Sequence, residues 1–236
     1  ETGFFHCFRC GIKGRMDGEF DDIWQKPWRH VTQAPQIKLP DEHIPLYTGD
    51  GVYADVTKPA RDYLLSRGFS DQTLLKARIG VCLEGYFRHR IIVPITEANS
   101  VRGFVARDYT GYADMKYVYP KGMNRANMLF GENSFSATGN DDPLLVVEGV
   151  FDALPYVGNA VACLGKPTVM QVELLKTANR PLAIVLDGDA WEEGYSLSQK
   201  LRLNGKRAGY VKLPAGEDPG SVDPCWLLEE AHKCVS

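Results

Sequence analysis

The chain has 236 residues, 44% hydrophobic and 24% charged, which is the composition of a globular protein with one large domain or two small ones. It contains no apolar run near the roughly 20 residues of a membrane-spanning helix and no signal peptide, so we expect a cytoplasmic protein without a membrane partner. The net charge of −3 argues against a uniformly basic nucleic-acid binder, and the six cysteines lack the spacing of a disulfide framework.

The start of the chain contains half of a metal-binding motif. Cys7 and Cys10, followed by glycine in "FHCFRCG", form one knuckle of a zinc ribbon, whereas tetrahedral zinc needs four ligands. Two ordinary reduced thiols are the alternative. Because the sequence starts at Glu1 rather than Met, we expect a fragment that lacks the other knuckle and binds zinc weakly or not at all. Residues 31–57 carry prolines and isolated aromatics without a period, which predicts a linker.

The next segment, residues 58–130, is basic. It has twelve Lys and Arg against six Asp and Glu, whereas residues 131–236 have nine against fifteen. Its first part, "KPARDYLLSRGFSDQTLLKARIG", predicts two short amphipathic helices, with Ser70 or Asp71 as the cap of the second. The runs "RHRIIVPI", "SVRGFVARDY" and "MKYVYPKG" predict a small β meander.

Basic side chains are interleaved with aromatic ones in this segment. Basic groups pair with phosphates and aromatic rings stack on bases, so the segment is a candidate nucleic-acid or nucleotide surface. Charged strand ends that only face solvent are the alternative. The candidates for contacts with nucleic acid or nucleotide are Arg90, Arg107, Lys116, Lys121 and Arg125.

From residue 144 onward, strand-like and helix-like runs alternate. The runs "LLVVEG", "AVACLG", "LAIVL" and "AGYVKLP" are apolar enough for buried strands, and the segments between them predict helices. Asp223 and Pro224 are a typical N-cap and first turn for the final helix. The pattern therefore predicts a parallel sheet with helices on both faces.

Two of these strands end in acids. Glu148 follows the first strand, and Asp187 and Asp189 follow the third, at the edge where α/β sheets place their sites. Residues i and i+2 of an extended chain point the same way, so the two aspartates converge, and a cation would offset their repulsion. Oxygen-only ligands suit Mg²⁺ or Mn²⁺. Asp152, one helical turn after Glu148, and Asp218, after the fourth strand, can reach the same pocket.

Each acid also has a structural interpretation. Asp187 can close a turn, and Asp189 can cap the helix that follows. Glu148 can stabilise a helix N-terminus, Asp152 can be an ordinary helix-surface residue, and Asp218, which precedes proline, can be a turn former. Residue types and spacing leave both sets of interpretations open.

The motifs "VVEGVFDAL", "VACLG", "VLDGD" and "LPAGEDP" resemble, in order and spacing, the Toprim domain of DnaG-type DNA primases from bacteria and phages. Upstream, "YLLSRGFSDQTLLKARIG", "HRIIVPI", "RGFVARD" and "KYVYPKG" are similar to the basic subdomain of the same primase core, and "FHCFRCG" is similar to the second knuckle of its zinc ribbon. The resemblance covers nearly the whole chain. It departs at Gly194, since the family usually has this glycine two positions earlier, and at Gly220, where the family tends to have aspartate.

The resemblance implies an α/β fold with a parallel-sheet Toprim domain at 139–236. A smaller, mixed α+β basic subdomain would occupy 58–138, after a zinc-ribbon remnant at 1–30 and the linker at 31–57. The implied reaction is primer synthesis on single-stranded DNA by metal-dependent nucleotidyl transfer from NTPs. It would take place in a bacterial cell or a phage-infected host, with a replicative helicase as partner.

In this resemblance Glu148, Asp187 and Asp189 are the catalytic acids, with Mg²⁺ or Mn²⁺ as cofactor and Zn²⁺ where the ribbon is complete. One alternative is a small Toprim nuclease that uses the same acids to activate water, but the basic segment counts against it. The other is a non-catalytic module that binds single-stranded DNA in replication, but the intact set of acids counts against that. Metal binding and primer synthesis distinguish the three.

Overall fold

A computed structural model describes the backbone of residues 3–6 and 13–16 and the whole of residues 37–47, 55–98, 100–136 and 141–236. The chain divides into two units, residues 1–36 and residues 37–236. In the first unit, strands β1 (Gly3–His6) and β2 (Lys13–Met16) pair antiparallel. Cys7 and Cys10 lie outside the described residues, so the half zinc site stays a prediction.

The second unit begins with a five-stranded antiparallel sheet and two helices. Its five strands are hydrogen-bonded to one another in chain order. Ser70 caps the second helix, because its hydroxyl accepts a hydrogen bond from Thr73 N (3.2 Å). The structure contains both helices and the β meander that the sequence predicts for residues 58–130, so these predictions are confirmed. The elements are β3 (His43–Pro45), α1 (Lys58–Ser66), α2 (Asp71–Lys76), β4 (Gly80–Cys82), β5 (Arg90–Glu97), β6 (Ser100–Asp108) and β7 (Tyr117–Val118).

Strand β3 lies inside the segment that the sequence predicts as a linker. It pairs with β4 in the register His43 with Cys82. The next residue, Leu46, is fully buried, and its backbone N–H donates to Ile79 O (3.0 Å). The prolines in this stretch obscure the strand, because proline lacks an N–H and fits only at sheet edges or strand ends. β3 is such an edge strand.

The rest of the second unit is a four-stranded parallel sheet with helices between the strands, as the alternation of apolar runs predicts. Across the sheet, the fourth of its strands in chain order lies beside the third, the third beside the first, and the first beside the second. All neighbours are parallel. No helix that the structure describes has the length and hydropathy needed to cross a bilayer. The elements are β8 (Leu144–Val147), α3 (Val150–Ala153), β9 (Ala160–Ala162), α4 (Val169–Leu175), β10 (Leu182–Ile184), α5 (Trp191–Leu203), β11 (Ala208–Tyr210) and α6 (Pro224–Val235).

Both faces of the parallel sheet are covered, because successive strand residues point to opposite sides. On one face Val146 and Ile184 pack with residues of α4 and α5, among them Leu201. On the other face Val147 and Val185 pack with residues of α3, α6 and the antiparallel sheet in one continuous cluster. The predicted two-sided burial is confirmed, and one of the hydrophobic clusters is shared by the two sheets.

The displaced glycine of α5 has a packing role. The helix begins at Trp191, directly after a 3-10 turn at Gly188–Ala190. A Cβ atom on Gly194 would lie 2.6 Å from the ring of Tyr210 on β11. Glycine at this position therefore lets α5 approach the sheet closely.

The basic segment is joined to the parallel sheet at β9. Phe130 and Ala162 exchange two backbone hydrogen bonds of 3.0 Å, so residue 130 extends the sheet by one bridge beyond β9. Close by, the fully buried side-chain amide of Gln171 on α4 donates to the carbonyls of Arg125 and Met128, both at 2.9 Å. These bonds fix the end of the basic segment against the Toprim-like sheet.

Candidate active site

Two strand-end acids of the sequence lie at the same edge of the parallel sheet. β8 and β10 are neighbours, with Val146 opposite Ile184. A further hydrogen bond from Val185 N to Val146 O (2.9 Å) continues the pairing toward the carboxyl ends of the strands. Glu148 directly follows β8, and Asp187 follows β10, so both emerge at this edge.

Gly188, between the two aspartates, brings the loop after β11 to the same place. Its backbone N–H donates to Glu217 O (2.9 Å), and a Cβ atom here would lie only 2.1 Å from Pro214 O. No side chain fits in that space, so the loop can pack directly on Gly188. The loop carries Asp218, the acid that follows the fourth strand. Its packing on Gly188 brings Asp218 toward Glu148, Asp187 and Asp189.

The acids raise one another's pKa values. Burial, followed by the charges of Asp218 and Asp187, raises the pKa of Asp152 to about 7. Burial and then the charges of Asp218 and Asp189 raise the pKa of Asp187. Burial and then the charge of Asp187 do the same for Glu148. Each carboxylate is thus within the electrostatic reach of another, as expected of a site that collects negative charge.

A divalent cation fits this donor set. Among the buried polar atoms of the described residues, Asp187 Oδ1 lacks a hydrogen-bond partner, and an unpaired buried carboxylate oxygen is costly unless an ion satisfies it. As the side chains stand, no three His, Cys, Asp or Glu within the described ranges are grouped closely enough to hold an ion. Binding would therefore require the side chains of Asp187, Asp189 and Glu148 to come closer together than they stand here. Their oxygens suit Mg²⁺ or Mn²⁺.

The two outer acids also make the local bonds expected of caps and turns. Asp152 Oδ2 accepts from Gly149 N (3.1 Å) at the start of α3. Asp218 Oδ1 accepts from Gly220 N (2.9 Å) and closes a tight turn. Asp152 and Asp218 therefore have structural roles in addition to their place beside Asp187.

We predict that Asp152 makes stability depend on pH when metal is absent. Its pKa of about 7 lies above the ordinary 3.8, so at intermediate pH the native state holds a proton that the unfolded chain has released. The free energy of unfolding, measured with urea in a chelating buffer, should therefore fall as pH rises from about 4 to about 7. Asp152→Asn should flatten this slope, whereas Asp141→Asn, which changes an exposed carboxylate, should keep it. Equal slopes in Asp152→Asn and the unmodified protein would contradict the prediction.

Two of the five predicted basic contacts are buried. Arg107 is 3% exposed, its Nε donates to the Tyr63 hydroxyl (2.9 Å), and its guanidinium lies 4.3 Å from the centre of the Phe151 ring. It also donates to the Tyr117 hydroxyl. Arg90 is 9% exposed. Arg107 is held by contacts within the protein, and Arg90 Nη1 donates to Lys116 O (3.4 Å), so direct phosphate contacts by these two residues stay a prediction.

The other three predicted contacts are exposed and lie beside aromatic rings. Lys116 Nζ lies 5.8 Å from the ring centre of Tyr117, and the guanidinium of Arg125 lies 4.2 Å from that of Tyr119. Lys121 is exposed close to Tyr119. This arrangement of cations and partly exposed rings is the one that suits phosphates and bases.

Two further charged residues at this edge, Lys166 and Glu193, belong to no sequence motif that marks a site. Lys166 lies in the loop after β9 and makes an ion pair of 2.5 Å with Glu193 in the first turn of α5. The charge of Lys166 lowers the pKa of Glu148, and that of Glu193 raises it. In the sequence, only the position of Lys166 indicates a role in the site, because Lys166 follows the second strand of the parallel sheet at the edge that carries the acids.

No protein-family model matches this chain. A curated DNA primase of Pasteurella multocida is 24% identical to it, over an alignment that covers 92% of this chain and 50% of that protein. The chain spans about half the length of this and another curated DNA primase that it matches.

Comparison with solved structures shows the fold of this chain. The DnaG primase catalytic domain bound to ssDNA has a TM-score of 0.64 and 23% identity, and the match covers 76% of this chain and 72% of that one. This chain has the fold of a DnaG-type primase catalytic core. The Aquifex aeolicus primase, with its zinc-binding and RNA polymerase domains, also matches with a TM-score of 0.64 and 23% identity, covering 75% and 55% of the two chains. The resemblance to DnaG-type primases with a Toprim core is confirmed.

Proposed function

We propose that this chain is the catalytic part of a primase, which synthesises short primers on single-stranded DNA by nucleotidyl transfer from NTPs. The observation that carries the proposal is the convergence of Glu148 and Asp187, with Asp189 beside them, at the carboxyl edge of the parallel sheet in a DnaG-type fold. The relatives named DNA primase support the same reaction. In this proposal the chain works with a replicative helicase during DNA replication.

In the proposed reaction, the 3′-oxygen of the primer, or of the first NTP, forms a bond to the α-phosphorus of the incoming NTP. The bond from that phosphorus to the oxygen bridging to the β-phosphate breaks, and pyrophosphate leaves. Glu148 would accept the proton of the attacking hydroxyl, which its raised pKa favours. Asp187 and Asp189 would hold Mg²⁺ or Mn²⁺, with Asp152 and Asp218 beside them. When bound, such an ion offsets the charge of the triphosphate and of the transition state.

The direct test is a primer-synthesis assay on single-stranded DNA with labelled NTPs and Mg²⁺ or Mn²⁺. We expect short labelled oligonucleotides from the unmodified protein and none from Glu148→Gln, which keeps the size of the side chain but removes the proton acceptor. Lys233→Gln, which changes an exposed ion pair on α6, is the matched control and should leave synthesis unchanged. Absence of product from the unmodified protein under all of these conditions would overturn the proposal.

The alternatives give different results in the same assay. A Toprim nuclease would shorten the DNA template and incorporate no label, because the same acids would activate water. A non-catalytic module would bind the template without changing it. The exposed cations Lys116, Lys121 and Arg125 favour an enzyme that holds a strand over a minimal nuclease.

We predict that binding of single-stranded DNA is salt-dependent through the exposed cations. Each phosphate contact that is lost should reduce the slope of log affinity against log salt by about 0.7. Lys116→Ala and Lys121→Ala should each do so in fluorescence-anisotropy titrations. Arg202→Ala, which removes an exposed cation of α5, should not change the slope. Binding that is independent of salt would mean that these side chains are solvated strand ends.

A further inference from the structure

The ion pair between Lys166 and Glu193 spans the edge of the sheet from which Glu148 emerges. Lys166 follows β9, and Glu193 lies on α5, which follows β10. In the sheet, β8 lies between β9 and β10. The contact of 2.5 Å between Lys166 Nζ and Glu193 Oε1 therefore crosses from one side of β8 to the other, at the end that carries Glu148.

The backbone keeps Lys166 close to that acid. Gly165 N donates to Glu148 O (3.1 Å), and Cys163 N donates to Val147 O (2.9 Å), so the loop after β9 is bonded directly to the end of β8. Lys166 is the next residue after Gly165. Its ammonium is thus attached to a fixed point of the site by one flexible side chain.

The ammonium is free to change partners. The side chains of Lys166 and Glu193 are 73% and 49% exposed, and ion pairs in solvent contribute little to stability. A groove of about 500 Å³, lined in part by Lys166, Thr168, Glu193 and Lys200, opens beside the pair between α4 and α5. A polyanion that reaches the acids can therefore take the place of Glu193 at the ammonium.

A cation at this position would offset the negative charge of a nucleotide bound beside the acids. A triphosphate would bring further negative charge to a group of carboxylates that already raise one another's pKa values. Lysine is a compact charge with three donors that turn freely, which suits the β- and γ-phosphates. Arg67 also acts on the acids, but through Asp152, and its guanidinium lies over Phe69 and Phe151. Lys166 acts instead on Glu148.

We propose that Lys166 binds the β- and γ-phosphates of the incoming NTP and that Glu193 holds its ammonium beside the acids until the nucleotide arrives. This inference rests on the proposed nucleotidyl transfer. It assigns opposite effects to the two members of one ion pair: Lys166 favours the bound nucleotide, and Glu193 competes with it for the ammonium.

The test compares Lys166→Gln, Lys166→Arg and Glu193→Gln. Lys166→Gln should raise both the NTP KM in primer synthesis and the Kd of a fluorescent ATP analogue with Mg²⁺ about tenfold, with a smaller change in kcat. Lys166→Arg should restore most of the binding, because it keeps the charge. Glu193→Gln should lower the Kd, because the phosphates no longer compete with a carboxylate. Lys233→Gln and Glu230→Gln, an ion pair of similar exposure on α6, should change neither constant.

The same measurements contain the results that would overturn the inference. A pair that only links the loop to α5 would give Lys166→Gln and Glu193→Gln the same direction of effect, and a Kd unchanged in Lys166→Gln would equally exclude the phosphate contact. If the unmodified protein makes primers and Lys166→Gln has a normal KM, the inference alone fails. If the unmodified protein makes none, the proposed function fails, and the titration, which needs no synthesis, still decides the role of Lys166.

Discussion

Replacing Asp187 with asparagine should reduce primer synthesis by about a hundredfold or more while leaving the protein folded. The side chain stands at the end of β10 with one buried oxygen that lacks a hydrogen-bond partner among the described residues. It also raises the pKa values of Glu148 and Asp152 through its charge. In the proposed function, removing that charge takes away a metal ligand and, at the same time, a source of repulsion.

The two effects can be separated by measuring stability as well as activity. In a chelating buffer at neutral pH, Asp187→Asn should be as stable as the unmodified protein or slightly more so, because one of several repelling charges is gone. Added Mg²⁺ should raise the melting temperature of the unmodified protein and not that of the variant. Asp189→Ala should lose synthesis in the same way, and Asp141→Asn should lose neither property. Synthesis at the unmodified level in either active-site variant would contradict the assignment.

Replacing Arg107 with alanine should destabilise the protein by about 3 kcal/mol, equivalent to a fall of about 10 °C in melting temperature. The guanidinium is almost fully buried, donates to two tyrosine hydroxyls and lies against the Phe151 ring on α3. The substitution would leave a cavity between β6 and α3 and deprive Tyr63 and Tyr117 of their donors. Thermal unfolding followed by circular dichroism measures the change.

Arg102 is a matched control, because it lies on the same strand but faces solvent. It pairs with Glu97, and both side chains are about half exposed. Arg102→Ala should therefore cost less than about 1 kcal/mol. If Arg107→Ala unfolded at the same temperature as Arg102→Ala, the buried position of Arg107 would be wrong, and a surface role in phosphate binding would become the better interpretation.

The parallel sheet and its acidic edge were predictable from sequence because their signals are local. The strand β8 is a continuous apolar run ended by Glu148 and Gly149, and β10 is ended in the same way by Asp187 and Gly188. Buried parallel strands have this composition, and their carboxyl ends meet at one edge. Asp223 was recognisable as an N-cap for the same local reason, and its side chain accepts from Trp226 N (2.8 Å).

The burial of Arg107 and the pairing of Lys166 with Glu193 depend on contacts between distant parts of the chain. Along β6, alternation places Arg107 on one face, but packing against Tyr63 of α1 and Phe151 of α3, each 44 residues away, decides that this face is buried. The pair Lys166 and Glu193 has a separation of 27 residues and no periodic pattern. Neither residue can be recognised from the sequence as part of the site, because only the order of β8, β9 and β10 in the sheet places the pair beside Glu148.

Through the bridge from Phe130 to β9, the basic segment also covers an edge of the parallel sheet. It occupies backbone groups that would otherwise form an open sheet edge, and open edges recruit strands from other molecules. The shared core adds an apolar face, since Val147 and Val185 pack toward the antiparallel sheet. A Toprim fragment expressed from residue 139 onward would expose both the edge and this face and should self-associate. We therefore expect the basic segment and the parallel sheet to fold as one cooperative unit.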